Sequence, residues 1–141
     1  MAANTNPIFT LTGRASWGTA SLSTGTNTAK DGTGTMLPIF TAKATDGSFV
    51  QRIRFKCAGT TTSATVCRIF INNGASNATA ANNILFDEIT LPVTTLTETA
   101  ATPVYEIPCN FVLPGGYVLN ACIGTSTGTG GWYVSVIGGD Y

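Results

Sequence analysis

The residues of this chain best suited to holding another molecule are Arg52, Arg54, Lys56 and Arg68, four of its seven Lys and Arg residues, gathered in the stretch Val50 to Asn72. The first three are spaced by two, which on a strand puts them on one face. A row of like charges is locally unfavourable, so it needs compensation. Either acidic groups of a neighbouring subunit dock along the strand face, or Asp87, Glu88 or solvent neutralises the row within one molecule.

Reaction chemistry has little to work with. The chain has no histidine, which removes the commonest general base, the usual nucleophile partner and the usual transition-metal ligand together. Asp87 and Glu88 are adjacent, so on a strand they point to opposite faces and cannot form a paired-carboxylate site with each other. Cys57, Cys67, Cys109 and Cys122 show no CxxC spacing, so a zinc site is unsupported. DGTG, DGS and NNG lack the acid density of a calcium loop and read as turns. The expectation is a non-enzyme with no catalytic residue, cofactor or metal. Among the aromatics, Trp132 shares a face with Val134 and Val136 and belongs to the core. Tyr133, Tyr141 and Trp17, which stands in a Gly/Ser/Thr-rich arm, are contact candidates. Trp17 is expected to pack against a neighbouring chain or to cap the fold.

The elements that would position these residues are short strands. Val50 to Asn72 reads as two strands folded about Thr62, pairing Ile53 with Ile71, Phe55 with Ile69 and Cys57 with Cys67, and collecting the four cations on the other face. Before it, Ile8 to Thr12 is a possible first strand, Gly13 to Gly34 an irregular arm or weakly paired strand, and Met36 to Ala42 a strand placed at an edge or bulge by Pro38. After it come Ile84 to Leu91, a Thr-rich connection, and the alternating run Tyr105 to Leu113. Pro114-Gly115-Gly116 suits a hairpin that pairs Phe111 with Leu119, with the last glycine left-handed. That register puts Cys109 and Cys122 on opposite faces. Trp132 to Ile137 is the final strand. No helical period extends over ten residues. The fold class expected is an all-β, two-sheet antiparallel sandwich of about eight strands, a jelly roll, with an immunoglobulin-like sandwich fitting almost as well. Residues 1–7 form a flexible N-terminal arm and 8–141 a single domain.

At 141 residues the chain can bury a core without staples. Charged residues are only 10% and formal net charge is zero, well under the roughly 25% charged residues of an average soluble domain. Weak colloidal repulsion favours association. No basic excess points to nucleic acid, no segment is long enough to span a membrane, and MAANTNPIF lacks a signal-peptide pattern. Synthesis in a cytosol is expected, with Cys57 and Cys67 as reduced, buried thiols, their opposed positions allowing a bond only in an oxidising compartment.

NTNPIFTLT, TAKDGTGT, FINNGASNATAANN, FVLPGGYVLNACIGT and GWYVSVIGGDY together resemble a group of small proteins from the structural modules of tailed bacteriophages and prophages. The resemblance covers most of the chain, through turn and strand signatures without catalytic content. It implies a virion location and a protein that decorates or cements the head, bound to the major capsid protein as a homo-oligomer, often a homotrimer. The alternative it leaves open is a receptor- or glycan-binding module of a head fibre or tail, using exposed aromatics and loop Asn residues.

Overall fold

The computed structural model describes residues 9–141. The expected arm over residues 1–7, and Ile8, lie outside the described residues. Eight strands form: β1 (Thr12–Trp17), β2 (Leu37–Thr41), β3 (Ser48–Gly59), β4 (Thr65–Asn72), β5 (Asn83–Leu91), β6 (Val104–Leu113), β7 (Val118–Ile123) and β8 (Gly131–Asp140), with one 3-10 turn at Ala80–Asn82. They build two four-stranded antiparallel sheets, ordered β1-β8-β3-β6 (sheet A) and β2-β7-β4-β5 (sheet B). The protein is thus an all-β two-sheet sandwich. The pairs β1–β8, β2–β7, β3–β6 and β4–β5 describe one long antiparallel ribbon, closed by the β4–β5 turn and wound so that successive pairs fall in alternate sheets.

That winding corrects both expected hairpins. β3 does not pair with β4: it lies between β8 and β6, while β4 lies between β7 and β5. The ladder of Ile53 with Ile71, Phe55 with Ile69 and Cys57 with Cys67 therefore does not exist. Likewise β6 pairs with β3, and β7 with β2 and β4, so Phe111 and Leu119 are not cross-strand partners. The physical reason is the same in both cases. Alternation tells which side chains face the core, but two apolar stripes can meet side by side in one sheet or face to face across the roughly 10 Å between sheets. Here they meet across it. The tight turn itself is present, with Tyr117 N donating to Pro114 O at 3.1 Å and Gly116 left-handed at φ 78°.

The first strand is also displaced. Phe9 to Leu11 are not in a strand, and β1 occupies Thr12–Trp17, inside the segment expected to be irregular. Its register is set from outside, by six antiparallel partners on β8 from Asp140 to Ser135. β2 borders sheet B with a register shift between Pro38 and Phe40, as a proline without an N–H requires.

The core joins the inward faces of both sheets. Ile53, Phe55, Ile107, Trp132, Val134 and Val136 from sheet A meet Phe40, Cys67, Ile69, Leu91, Leu119 and Ile123 from sheet B. Trp132 is fully buried, with the Tyr105 ring edge-on at 5.6 Å. Burying an aromatic of this size contributes about 2–3 kcal/mol by area.

Sheet B also has its outer side covered. Phe70, Asn72, Asn120 and Cys122 point away from the core yet are buried. The segment between β1 and β2 crosses over them. Its Leu22 exchanges backbone hydrogen bonds with Trp132, its Asn27 N donates to Ile123 O at 2.8 Å, and its Gly34 O accepts from Asn77 Nδ2 at 2.9 Å. Asn27 holds this segment in shape, its Nδ2 donating to Thr33 O and Thr35 O at 2.7 and 2.9 Å. Gly32, at φ +81°, lies so close to Asn83 and Phe70 that a Cβ there would sit 2.4 Å from Asn83 Cβ. Only glycine fits that approach.

Candidate functional site

Strand register assigns the outer face of sheet A row by row, because residues directly opposite share a face. One row runs Val104, Lys56, Tyr133. The next runs Glu106, Arg54, Ser135, Trp17, and a third Pro108, Arg52, Ile137, Ala15. Five of the expected contact residues, Arg52, Arg54, Lys56, Trp17 and Tyr133, therefore share one surface. Two are separated from it.

Arg68 is on the outer face of sheet B, opposite Cys122 and Glu88. It was expected on one face with Arg52, Arg54 and Lys56 because β3 and β4 were expected to pair, and their separation removes the four-cation stripe. Its Nε lies 2.6 Å from Glu88 Oε1 and its side chain is only 13% exposed, so it belongs to the covered side. Tyr141 follows the end of β8, half-buried, with its N donating to Gly47 O at 3.4 Å and its carbonyl accepting from Lys43 Nζ.

On the sheet A face the aromatic residues are open to solvent. Trp17 is 69% and Tyr133 58% exposed. Trp17 does not cap the sandwich, since it ends β1 on the outer side, opposite Ser135. Arg52 and Arg54 share a single carboxylate from within the molecule. Glu106 Oε1 is 2.7 Å from Arg54 Nε, and its Oε2 is 3.8 Å from Arg52 Nη1. Lys56 Nζ donates to the carbonyl of Thr102. Arg52, Arg54 and Glu106 are all half-exposed, where an ion pair contributes about 1 kcal/mol or less.

Glu106 is the residue missed at the sequence level. Its outward direction was legible from the Tyr105–Glu106–Ile107 alternation, but its neighbours were not, because β6 reaches β3 only through the long-range winding. Asn110 was missed too. Beside Arg52 the register shifts on both sides of β3, between Val50 and Arg52, and Asn110 takes a left-handed φ of 53°. Asn tolerates that conformation better than most residues, and the bulge opens a groove of about 320 Å³ lined by Gln51, Arg52, Glu106, Pro108 and Asn110. Bulges of this kind commonly re-aim side chains next to binding surfaces.

A larger groove of about 450 Å³ lies on sheet B between the crossing segment and the 73–77 loop. Small and amide residues line it, including Thr35, Asn72, Ser76, Asn77 and Asn120. That lining includes no acid, cation or cysteine to move a proton or form a bond.

The four thiols are free. Burial pushes Cys67 well above the ordinary thiol range, and burial together with the Asp87 carboxylate pushes Cys109 up to about 11. Both are neutral thiols at physiological pH. Burial raises Cys122 as well. Cys109 and Cys122 lie in different sheets. Among the described residues no three His, Cys, Asp or Glu side chains gather as metal ligands would, and no helix is long and apolar enough to cross a membrane. Comparison with protein-family models, with curated proteins and with solved structures finds no match for this chain.

Proposed function

We propose that this protein is a non-enzymatic structural component of a tailed-phage virion, a decoration or cement protein that binds the major capsid protein lattice and stabilises the head. The observation that carries the reading is the bare outer face of sheet A, where Trp17, Tyr133 and three cations share one uncovered surface. Exposed aromatics beside arginines are the residues from which protein contact surfaces draw most of their energy. The resemblance of the turn and strand motifs to phage structural-module proteins supplies the setting, and the wound-ribbon pairing supports a jelly roll.

The mechanism is binding alone. A protein that engages only the assembled shell stabilises it by mass action, and a homo-oligomer, a trimer in this reading, multiplies weak single contacts. The sheet A face joins subunits of the oligomer. The shell contact lies at the start of the chain, where Phe9 and Leu11 are exposed ahead of the sheet-edge strand β1 and offer a site for strand addition. No nucleic acid, membrane, metal or cofactor takes part, and the protein goes from bacterial cytoplasm to capsid surface.

A second reading has its own observation. The groove at Gln51, Arg52, Glu106 and Asn110 lies on the same face as Trp17 and Tyr133, an arrangement of polar groups and flat rings that suits a glycan. One experiment separates the two. Purified protein is added to undecorated capsids and imaged by cryo-electron microscopy. Regular, saturable density on the lattice is the expected result. An empty lattice, with protein at a fibre or tail tip, overturns decoration in favour of host recognition.

A further inference from the structure

We infer that the bare face of sheet A is one half of a head-to-tail contact between two copies of this chain, and that the β5 edge around Asp87 is the other half. The inference rests on the reading of that face as a subunit contact and names what it meets.

Charge is the first argument. The chain has seven cations and seven acids. Arg14 pairs with Asp140, Lys43 with Asp46 and Arg68 with Glu88, and Lys30 and Asp31 are chain neighbours. On the sheet A face Arg52 and Arg54 share Glu106, and Lys56 has no acidic partner among the described residues, an excess of two positive charges. The two acids left over are Asp87 and Glu98, both exposed and without an ion-pair partner among the described residues. Asp87 on β5 thus stands without an ion-pair partner among the described residues, while the sheet A face holds two cations in excess.

The apolar surface follows the same division. Trp17, Tyr133 and Val104 are exposed on the cationic face. On β5, Ile84 is 64% exposed and shares a side with Asp87, since they stand opposite Ile71 and Ile69 of β4. β5 borders sheet B and pairs only with β4, so one side of its backbone is free to bond. Asp87 stands opposite Ile69 of β4, and its neighbour Phe86 meets Phe111 of β6 at 5.0 Å between ring centroids.

A contact of the sheet A face with its own copy would set an excess of like charge against itself. A heterologous contact sets Asp87 of one copy against Arg54 and Lys56 of the next, with Ile84, which shares Asp87's side of β5, on the Trp17–Tyr133 surface. The β5 edge, nine residues long, lays about 30 Å of strand along that face.

The test uses the full chain without capsids. Sedimentation velocity is run at about 0.15 M and 1 M salt on the wild type, on Lys56→Glu, on Asp87→Lys, and on an equimolar mixture of the two variants, with circular dichroism to establish that each variant folds. The wild type associates and weakens about tenfold or more at high salt. Each variant alone is monomeric. The mixture regains association, because each contact between unlike variants then joins opposite charges. A wild type that stays monomeric at about 0.5 mM overturns the inference, as does Asp87→Lys associating like the wild type or a mixture that stays monomeric. In any of those cases lattice density in the capsid experiment leaves the decoration reading standing.

Discussion

The two outer faces of this sandwich carry the same strand alternation and have opposite fates. On sheet B, Phe70, Asn72, Asn120 and Cys122 point outward and are buried beneath the segment joining β1 to β2. On sheet A, Trp17 and Tyr133 point outward and stay in water, although an exposed tryptophan on a monomer has little to gain there. Among the described residues, a segment of some twenty residues crosses the outer face of sheet B, while Trp17 and Tyr133 on sheet A stay exposed, which separates a structural surface from a contact surface. The covered face is closed by amides and glycine, the open one by aromatics and cations.

Three substitutions break or sharpen that contrast. Phe70→Ala acts on the covered face. Phe70 is fully buried against Gly32 of the crossing segment, and its truncation costs about 3–5 kcal/mol in urea unfolding. A cost under about 1 kcal/mol would mean that the cover is loosely held.

Asp140→Asn acts where β1, which carries Trp17, is fastened to sheet A. Burial pushes the Asp140 carboxyl up, but the Ser48 hydroxyl and Arg14 together hold it below its ordinary value of 3.8. A carboxyl lowered in the folded state contributes stability above its unfolded-state pKa, and loses that contribution as pH falls through the folded value. The substitution therefore costs about 1–2 kcal/mol at pH 7 and little once the pH is low enough to protonate Asp140 in the folded state. Equal destabilisation at both pH values in the same unfolding series would remove the charge from the explanation.

Trp17→Ala acts on the bare face. Its effect on the stability of the isolated monomer stays within about 0.5 kcal/mol, whereas its effect on association is large. A monomer loosened by more than about 2 kcal/mol would make Trp17 part of the fold rather than of a contact.

Most strands were legible because alternation is local. Tyr105 to Leu113 and Ile84 to Leu91 match β6 and β5 to within one residue, and Trp132 is core as its face-sharing valines indicated. Pairing was not legible, because neighbouring strands in the chain lie in opposite sheets and the winding is a property of the whole. Arg68 shows the consequence. Its outward direction could be read from Cys67–Arg68–Ile69, but which outward face it joined depended on β7 and β5. The cover on sheet B was invisible for another reason. Asn27, Gly32 and Gly34 hold it through hydrogen bonds and close approach, leaving little apolar pattern to follow. The convergence of Trp17 with the cations was likewise hidden, since β1 takes its register from β8 at the far end of the chain.

Hydroxyl-radical footprinting of Trp17 and Tyr133 tests most directly whether the open face is a contact surface. Reactivity is measured on dilute monomer, on concentrated protein and on protein added to capsids, with buried Trp132 as the internal reference. The account predicts strong labelling of both residues in the monomer and a severalfold loss in the assembled states, with Trp132 unchanged. Trp17 and Tyr133 labelled as strongly in every assembled state as in the monomer would contradict it.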